Sequence, residues 1–141
     1  MAIQQGLTLA FKQKMLQGQV DLLADTLYIA LYTSAASLDR TTSEYTAVGE
    51  VVGAGYVAGG TVLTGATIMT DAGSNTVFVD FASPSWASAT FTARGALIYN
   101  SSQSNATVAV LDFGADKTAN SSTFTVTMPA NTAATALIRF P

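Results

Sequence analysis

One stretch with helical spacing, at the N-terminus, is followed by about seven strand-like segments with turn signals roughly every 8–12 residues, and this order constrains the chain more than any other feature. An antiparallel β-sandwich or barrel-like domain accommodates such an order. Alternating βαβ units do not, because no helical segment stands between the strands. In the N-terminal stretch Leu7, Ala10, Phe11 and Met15 recur at helical spacing, with Lys12, Gln13 and Lys14 on other faces and Gly18 as a stop signal. The two lysines fall in the later half of that helix, where a positive charge complements the helix dipole. A length of 141 residues is one core's worth. The expectation is a single, mainly β domain over residues 1–141, of about seven to eight strands, with a helical segment at 1–18 and the sandwich at 25–141.

Along the chain, Leu27-Tyr28-Ile29-Ala30-Leu31-Tyr32-Thr33 is apolar on both alternations, which predicts a strand covered on both faces. Residues 34–44 turn polar and read as a surface loop carrying Asp39, Arg40 and Glu44. Glu50 to Gly60 contains Gly53, Gly55, Gly59 and Gly60 and reads as irregular or bulged chain. Thr61 to Thr70 predicts a strand, Asp71 to Asn75 a hairpin loop, and Thr76 to Phe81 its partner. After Pro84, Thr90 to Arg94 and Ala96 to Tyr99 predict a strand broken at Gly95. Asn100 to Asn105 is a polar turn, Thr107 to Phe113 a strand, and Gly114 to Ser122 a loop. Thr123 to Met128 alternates strictly, which turns Phe124, Val126 and Met128 inward, and Ala133 to Phe140 reads as the last strand.

The surface of such a domain is electrically quiet. Charged residues make up 11% of the chain, against the roughly 25% usual for a globular protein. On an expected surface of about 6,900 Å², that is about one charge per 450 Å², less than half the usual density of about one per 200 Å². Surface of that kind suits coverage by neighbours in an assembly. The net charge is −3 and the six Lys and Arg residues are scattered, so no basic patch exists for phosphates and no nucleic-acid partner is expected. Histidine and cysteine are absent, which removes thiol nucleophiles, disulfides, thiolate or imidazole zinc sites and imidazole acid–base chemistry. No apolar run approaches the ~18 residues of a membrane span, so no membrane partner is expected. Met1 to Gly6 lacks the basic and apolar regions of a secretion signal, and synthesis in the cytoplasm is expected.

Few residues suggest chemistry, and each has a plainer reading. Gly53-Ala54-Gly55-Tyr56-Val57-Ala58 matches the dinucleotide pattern by letter, but no helix can start at Gly59-Gly60 to hold a pyrophosphate, so a close-packed loop is expected. The pairs Asp21 and Asp25, and Asp112 and Asp116, flank turns and read as solvated or turn-capping carboxylates. Asp71 to Asn75 lacks the full calcium-loop pattern. A Ser–Lys dyad through Lys12, Lys14 or Lys117 has no patterned S-x-x-K beside it. The sequons at Asn100, Asn105 and Asn120 have no secretion signal to bring them to a glycosylation machinery. Trp86, following Pro84, reads as core or as a partner anchor. No catalytic, cofactor-binding or metal-ligating residue is expected, and no enzyme.

Several segments carry a resemblance. They are Lys12-Gln13-Lys14-Met15-Leu16-Gln17-Gly18, Asp25 to Ser34 and Thr46 to Gly60, then Ala93-Arg94-Gly95-Ala96-Leu97-Ile98-Tyr99-Asn100, Val110-Leu111-Asp112-Phe113-Gly114 and Ala136-Leu137-Ile138-Arg139-Phe140. Over nearly its whole length the chain resembles a family of small virion structural proteins of tailed bacteriophages. That resemblance implies a particle component without catalytic residues. Within the family the expectation is a capsid decoration, or cement, protein on the virion's outer surface, bound to the major capsid protein and to itself, often as a homotrimer. A cement protein needs a large complementary surface and little net charge. The contact residues expected are Leu7, Phe11 and Met15 of the helical segment, with Tyr45, Tyr56 and Trp86 as aromatic candidates beside the Gly49 to Gly60 segment. A tail or neck component forming higher-order rings is the alternative; a glycan- or host-binding module, which requires an exposed aromatic platform from Tyr45, Tyr56 and Trp86, is a further one.

Overall fold

A computed structural model describes residues 2–141. The elements are β1 (Gly6–Leu7), α1 (Leu9–Leu16), β2 (Leu27–Tyr32), β3 (Thr61–Val62), β4 (Thr67–Asp71), β5 (Thr76–Asp80), β6 (Ser85–Asn100), β7 (Ala106–Thr125) and β8 (Ile138–Phe140). They form a five-stranded sheet, ordered β1-β7-β6-β2-β3, and a three-stranded sheet, ordered β4-β5-β8, with every strand pair antiparallel. Neither sheet closes into a barrel among the described residues. The mainly β class with one N-terminal helix is thus the architecture observed.

The helix begins later than its apolar spacing predicts. Gly6 and Leu7 pair with Val110 and Ala109 as an edge strand, and Thr8 caps the helix by accepting the Phe11 N–H at 3.2 Å. The same hydroxyl donates to the Thr107 carbonyl at 3.1 Å, so a fully buried threonine both starts the helix and ties it to β7.

The backbone of the domain is the β6–β7 hairpin, whose strands run 16 and 20 residues. Its turn uses Asn100, which accepts the Ser102 N–H at 3.0 Å, and the left-handed pair Ser104 and Asn105. The loop predicted at Gly114 to Ser122 is instead part of β7. Ala93 pairs with Lys117 and Gly95 with Asp112, so Phe113 to Asp116 form a bulge opposite Arg94. Arg94 and Asp112 make an ion pair at 3.3 Å beside that bulge. The break expected at Gly95 takes the form of a register shift: β6 continues through it, with Gly95 paired to Tyr32 on one side and Asp112 on the other, and the ladder to β7 slips between Ala93 and Gly95. Thr61 to Thr70 divides into β3 and β4, which join different sheets, and the last strand is shortened to Ile138–Phe140.

β2 explains why two cores exist. Its residues Leu27, Ile29 and Leu31 enter the main core with Phe11, Val79, Trp86, Phe91, Phe124 and Ile138, among others. Its alternate residues Ala30 and Tyr32 enter a second core with Ile3, Ala36, Leu38, Leu97, Tyr99 and Val110. The strand is covered on both faces, as its unbroken apolar run predicts. The cover of the second face comes from the segment read as a surface loop: Ala36 and Leu38 are 0% and 1% exposed. Leu38 bridges to Ile3 and exchanges backbone hydrogen bonds with Ala2 and Gln4 at 3.1 and 2.8 Å. A polar average hides two anchors, Leu38 contributing roughly 1.5–3 kcal/mol by burial and the Ala36 methyl about 0.8 kcal/mol.

Candidate interaction surface

From Thr46 to Gly60 the chain leaves the second core, runs beside the ends of β2 and β6, and returns to β3. Val51 N–H donates to the Leu31 carbonyl at 3.0 Å, and Thr90 N–H donates to the Ala54 carbonyl at 2.9 Å, so the segment follows edges that the regular strands leave free. Its glycines answer to close approach. A Cβ on Gly60 would lie 1.8 Å from the Ile29 carbonyl oxygen, and Gly60 itself has φ +84°. No helix follows the Gly53-to-Ala58 letters; the segment leads directly into β3.

The segment alternates between inward anchors and outward apolar side chains. Glu50 and Val51 turn inward, at 9% and 3% exposure. Val48, Val52 and Val57 turn outward, at 73%, 95% and 75%. Glu50 is the organising group. Its Oε1 accepts the Tyr45 hydroxyl at 2.5 Å; its Oε2 accepts the Tyr56 hydroxyl and, at 2.7 Å, the Gly59 N–H. The Gly59 carbonyl accepts the Tyr99 hydroxyl at 2.6 Å, and Thr46 accepts that of Tyr32 at 2.5 Å. Tyr28 stacks on Tyr99 with centroids 5.7 Å apart, so all five tyrosines of the chain belong to one cluster.

Burial raises the pKa of Tyr32, Tyr45, Tyr56 and Tyr99, and the Glu50 carboxylate reinforces the effect. Tyr99 is pushed up to about 12 by burial first, then by the charge of Glu50 and by Tyr28. Tyr32, Tyr45 and Tyr56 also rise above the ordinary tyrosine value, in each case chiefly through burial. The phenols remain protonated donors at neutral pH. A segment with little helix or sheet of its own is thereby held at both ends of its apolar display.

The N-terminal helix adds a second display. Leu9 and Leu16 are 57% and 90% exposed, Met15 lies at the margin with 36%, and Leu23 just beyond the helix is 60% exposed.

The residues expected at contacts divide accordingly. Met15 is available at the surface, and Leu7 is half-buried in β1 against the main core. Phe11 and Trp86 are 1% and 6% exposed and face the chain's own core, because Thr8 fixes the helix phase and Trp86 packs edge-on against Phe124 at 6.1 Å. Tyr45 and Tyr56 are half-buried, with their hydroxyls on Glu50. Tyr45, Tyr56 and Trp86 therefore do not form an exposed aromatic platform. Reasoning from the sequence missed Glu50 and the valines. The available signal was Val48-Gly49-Glu50-Val51-Val52, where a lone carboxylate sits among apolar residues in a chain with few charges.

A groove of about 500 Å³ lies under the β7 bulge, lined by Leu111, Phe113, Phe124, Val126, Met128 and Leu137 among others. Asp80 is buried on β5; one carboxylate oxygen accepts the Phe81 N–H at 2.9 Å and the other has no partner. No group of three or more acidic side chains that could hold a metal ion occurs among the described residues. Comparison with protein-family models, with curated proteins and with solved structures finds no match to this chain.

Proposed function

We propose that the chain is a structural protein of a tailed-bacteriophage particle, a decoration (cement) protein that binds the outer face of the major capsid protein lattice as a homotrimer. The observation that carries this reading is the pinned apolar display: Val48, Val52 and Val57 project from a segment whose anchors are Glu50 and its tyrosine donors. Preorganised apolar side chains lose little conformational entropy on docking. A contact made through them is indifferent to charge, which accords with a chain only 11% charged. The exposed Leu16 and Leu23 beside the helix offer a second patch, so one copy has surface for two neighbours.

The test is made on particles. Heads assembled with and without this protein are heated, and DNA release is followed by dye binding; heads that carry it are expected to release DNA at a higher temperature. Trimers imaged on the shell faces support the reading. Copies confined to a ring at one vertex assign it to the tail or neck instead, and equal release temperatures remove the cement role.

A further inference from the structure

We propose that β4 is a pairing edge at which two copies of this chain join their three-stranded sheets, antiparallel and centred on Met69. The β4 backbone ladders only with β5, so its other edge is open; its one side-chain tie to another segment runs from the Asn131 amide, which donates to Thr67 Oγ1 at 3.0 Å and lies 3.6 Å from Met69 Sδ. Four strands stand at sheet edges in this fold, and three are poor templates for a further strand. β1 and β3 are two residues long; β8 has three residues, includes Arg139 and is followed by Pro141. Shortness, charge and proline are the usual devices that keep an edge from pairing. β4 lacks them along most of its length: Thr67-Ile68-Met69-Thr70-Asp71 pairs with β5 in unbroken register and carries no Lys, Arg, Pro or bulge.

The strand is also exposed throughout, with Ile68 and Met69 at 44% and 48%. Val77, opposite Thr70 on the face shared with Ile68, is 40% exposed, so the apolar margin extends onto β5.

The occupant that fits is a second copy, because β4 is complementary to itself. A two-fold axis through Met69 sets Met69 against Met69 of the second copy, Ile68 against Thr70, and Thr67 against Asp71. The two aspartates then stand at opposite ends, each across from a threonine. Parallel pairing in register would place them side by side, and like charges directly opposite are unfavourable. An edge of five residues covers less than the ~800 Å² per partner of a stable interface, so the pairing is transient between free copies, is populated at high protein concentration and strengthens where copies are held close, as within an assembly. It does not depend on which particle that is.

The chain contains no cysteine, so single cysteines report the geometry without interference. Purified full-length Met69→Cys is oxidised at high protein concentration, beside Ala115→Cys as an exposed control on the β7 bulge. Met69→Cys is expected to give disulfide-linked dimers at least ten times faster than the control. Thr67→Cys and Asp71→Cys, whose thiols would stand roughly 13 Å from their own copies, are expected to cross-link slowly alone and rapidly when mixed. Far-UV circular dichroism verifies folding, and the mixed pair tests the same register if Met69→Cys fails to fold. Equal rates at positions 67, 69, 71 and 115, or no gain on mixing, overturn the proposal. This readout uses pure protein and no capsid, so its failure is distinct from failure of the virion reading.

Discussion

Glu50 and Tyr56, six residues apart in sequence, are joined through the tyrosine hydroxyl and a buried carboxylate oxygen that also accepts the Gly59 N–H. The Tyr56 hydroxyl in turn accepts the Leu31 N–H at 3.0 Å, and its ring lies 5.8 Å from Phe91. One side chain therefore fastens the glycine-rich segment to β2, to the main core and to Glu50.

Glu50→Gln introduces an amide nitrogen where donors converge. Tyr45 donates to one carboxylate oxygen, and Tyr56 and Gly59 donate to the other, so an amide nitrogen in the second position meets the Gly59 N–H donor to donor, and in the first it forces the Tyr45 hydroxyl to turn from donor to acceptor and forfeits the charge-assisted bonds. The expected loss is ~3 kcal/mol, or about 10 °C in Tm for a chain of this size. Hydrogen exchange should rise across residues 45–60 more than in β6 and β7; uniform exchange would show that Glu50 does not hold the segment.

The tyrosine cluster sets an alkaline limit. In the unfolded chain these phenols ionise near the ordinary value of 10.0, whereas Tyr99 in the fold is pushed up to about 12. Between those values the folded state keeps a proton that the unfolded state has lost, so stability is fully present below about pH 10 and falls as pH rises toward 12. Urea unfolding midpoints measured from pH 8 to 12 should show this decline, and Glu50→Gln should make it shallower by removing the charge that reinforces burial.

Two glycines with positive φ separate close approach from conformation alone. Gly60→Ala places a methyl 1.8 Å from the Ile29 carbonyl oxygen and is expected to cost more than ~3 kcal/mol. Gly18 has φ +70° with nothing within 4 Å of its would-be Cβ, so Gly18→Ala should cost only about 1 kcal/mol. Chemical denaturation of the two variants measures the contrast.

Asp80 is expected to destabilise the fold at neutral pH. Burial raises its carboxyl above the ordinary 3.8, against a smaller opposing contribution from the Phe81 N–H. Because the folded value is the higher one, stability declines as pH rises through it. Asp80→Asn keeps the acceptor for Phe81 and removes the charge, with an expected gain of about 1 kcal/mol at pH 7 and little change at pH 3. A loss at pH 7 would show that the carboxylate has a stabilising partner.

The surface valines should be separable from folding. Val52→Ser and Val57→Ser alter side chains 95% and 75% exposed, so each is expected to change monomer stability by less than ~0.5 kcal/mol. On the proposed decoration role, occupancy on heads, measured by densitometry after sedimentation, should fall for the double variant. Unchanged occupancy would exclude this display from the contact.

What the sequence determined by itself is whatever depends on neighbours in the chain. Turn residues at Asp71 to Asn75 and Asn100 to Asn105 specify two hairpins, the alternation at Phe124, Val126 and Met128 specifies an inward face, and the two-sided run at Leu27 to Tyr32 specifies a buried strand. The β class follows from these local rules. Tertiary structure alone decided what depends on distant pairing. Gly114 to Ser122 has loop composition, yet the bulge lets β7 continue against β6. Residues 34–44 average polar, yet Ala36 and Leu38 close the second core. Phe11 lies on a predicted contact helix, but Thr8 and β7 set the phase that turns it inward. Glu50 looks like any surface glutamate until Tyr45, Tyr56 and Gly59 converge on it. A side chain's role there is set by groups that folding brings to it, and periodicity records only which face it leaves from.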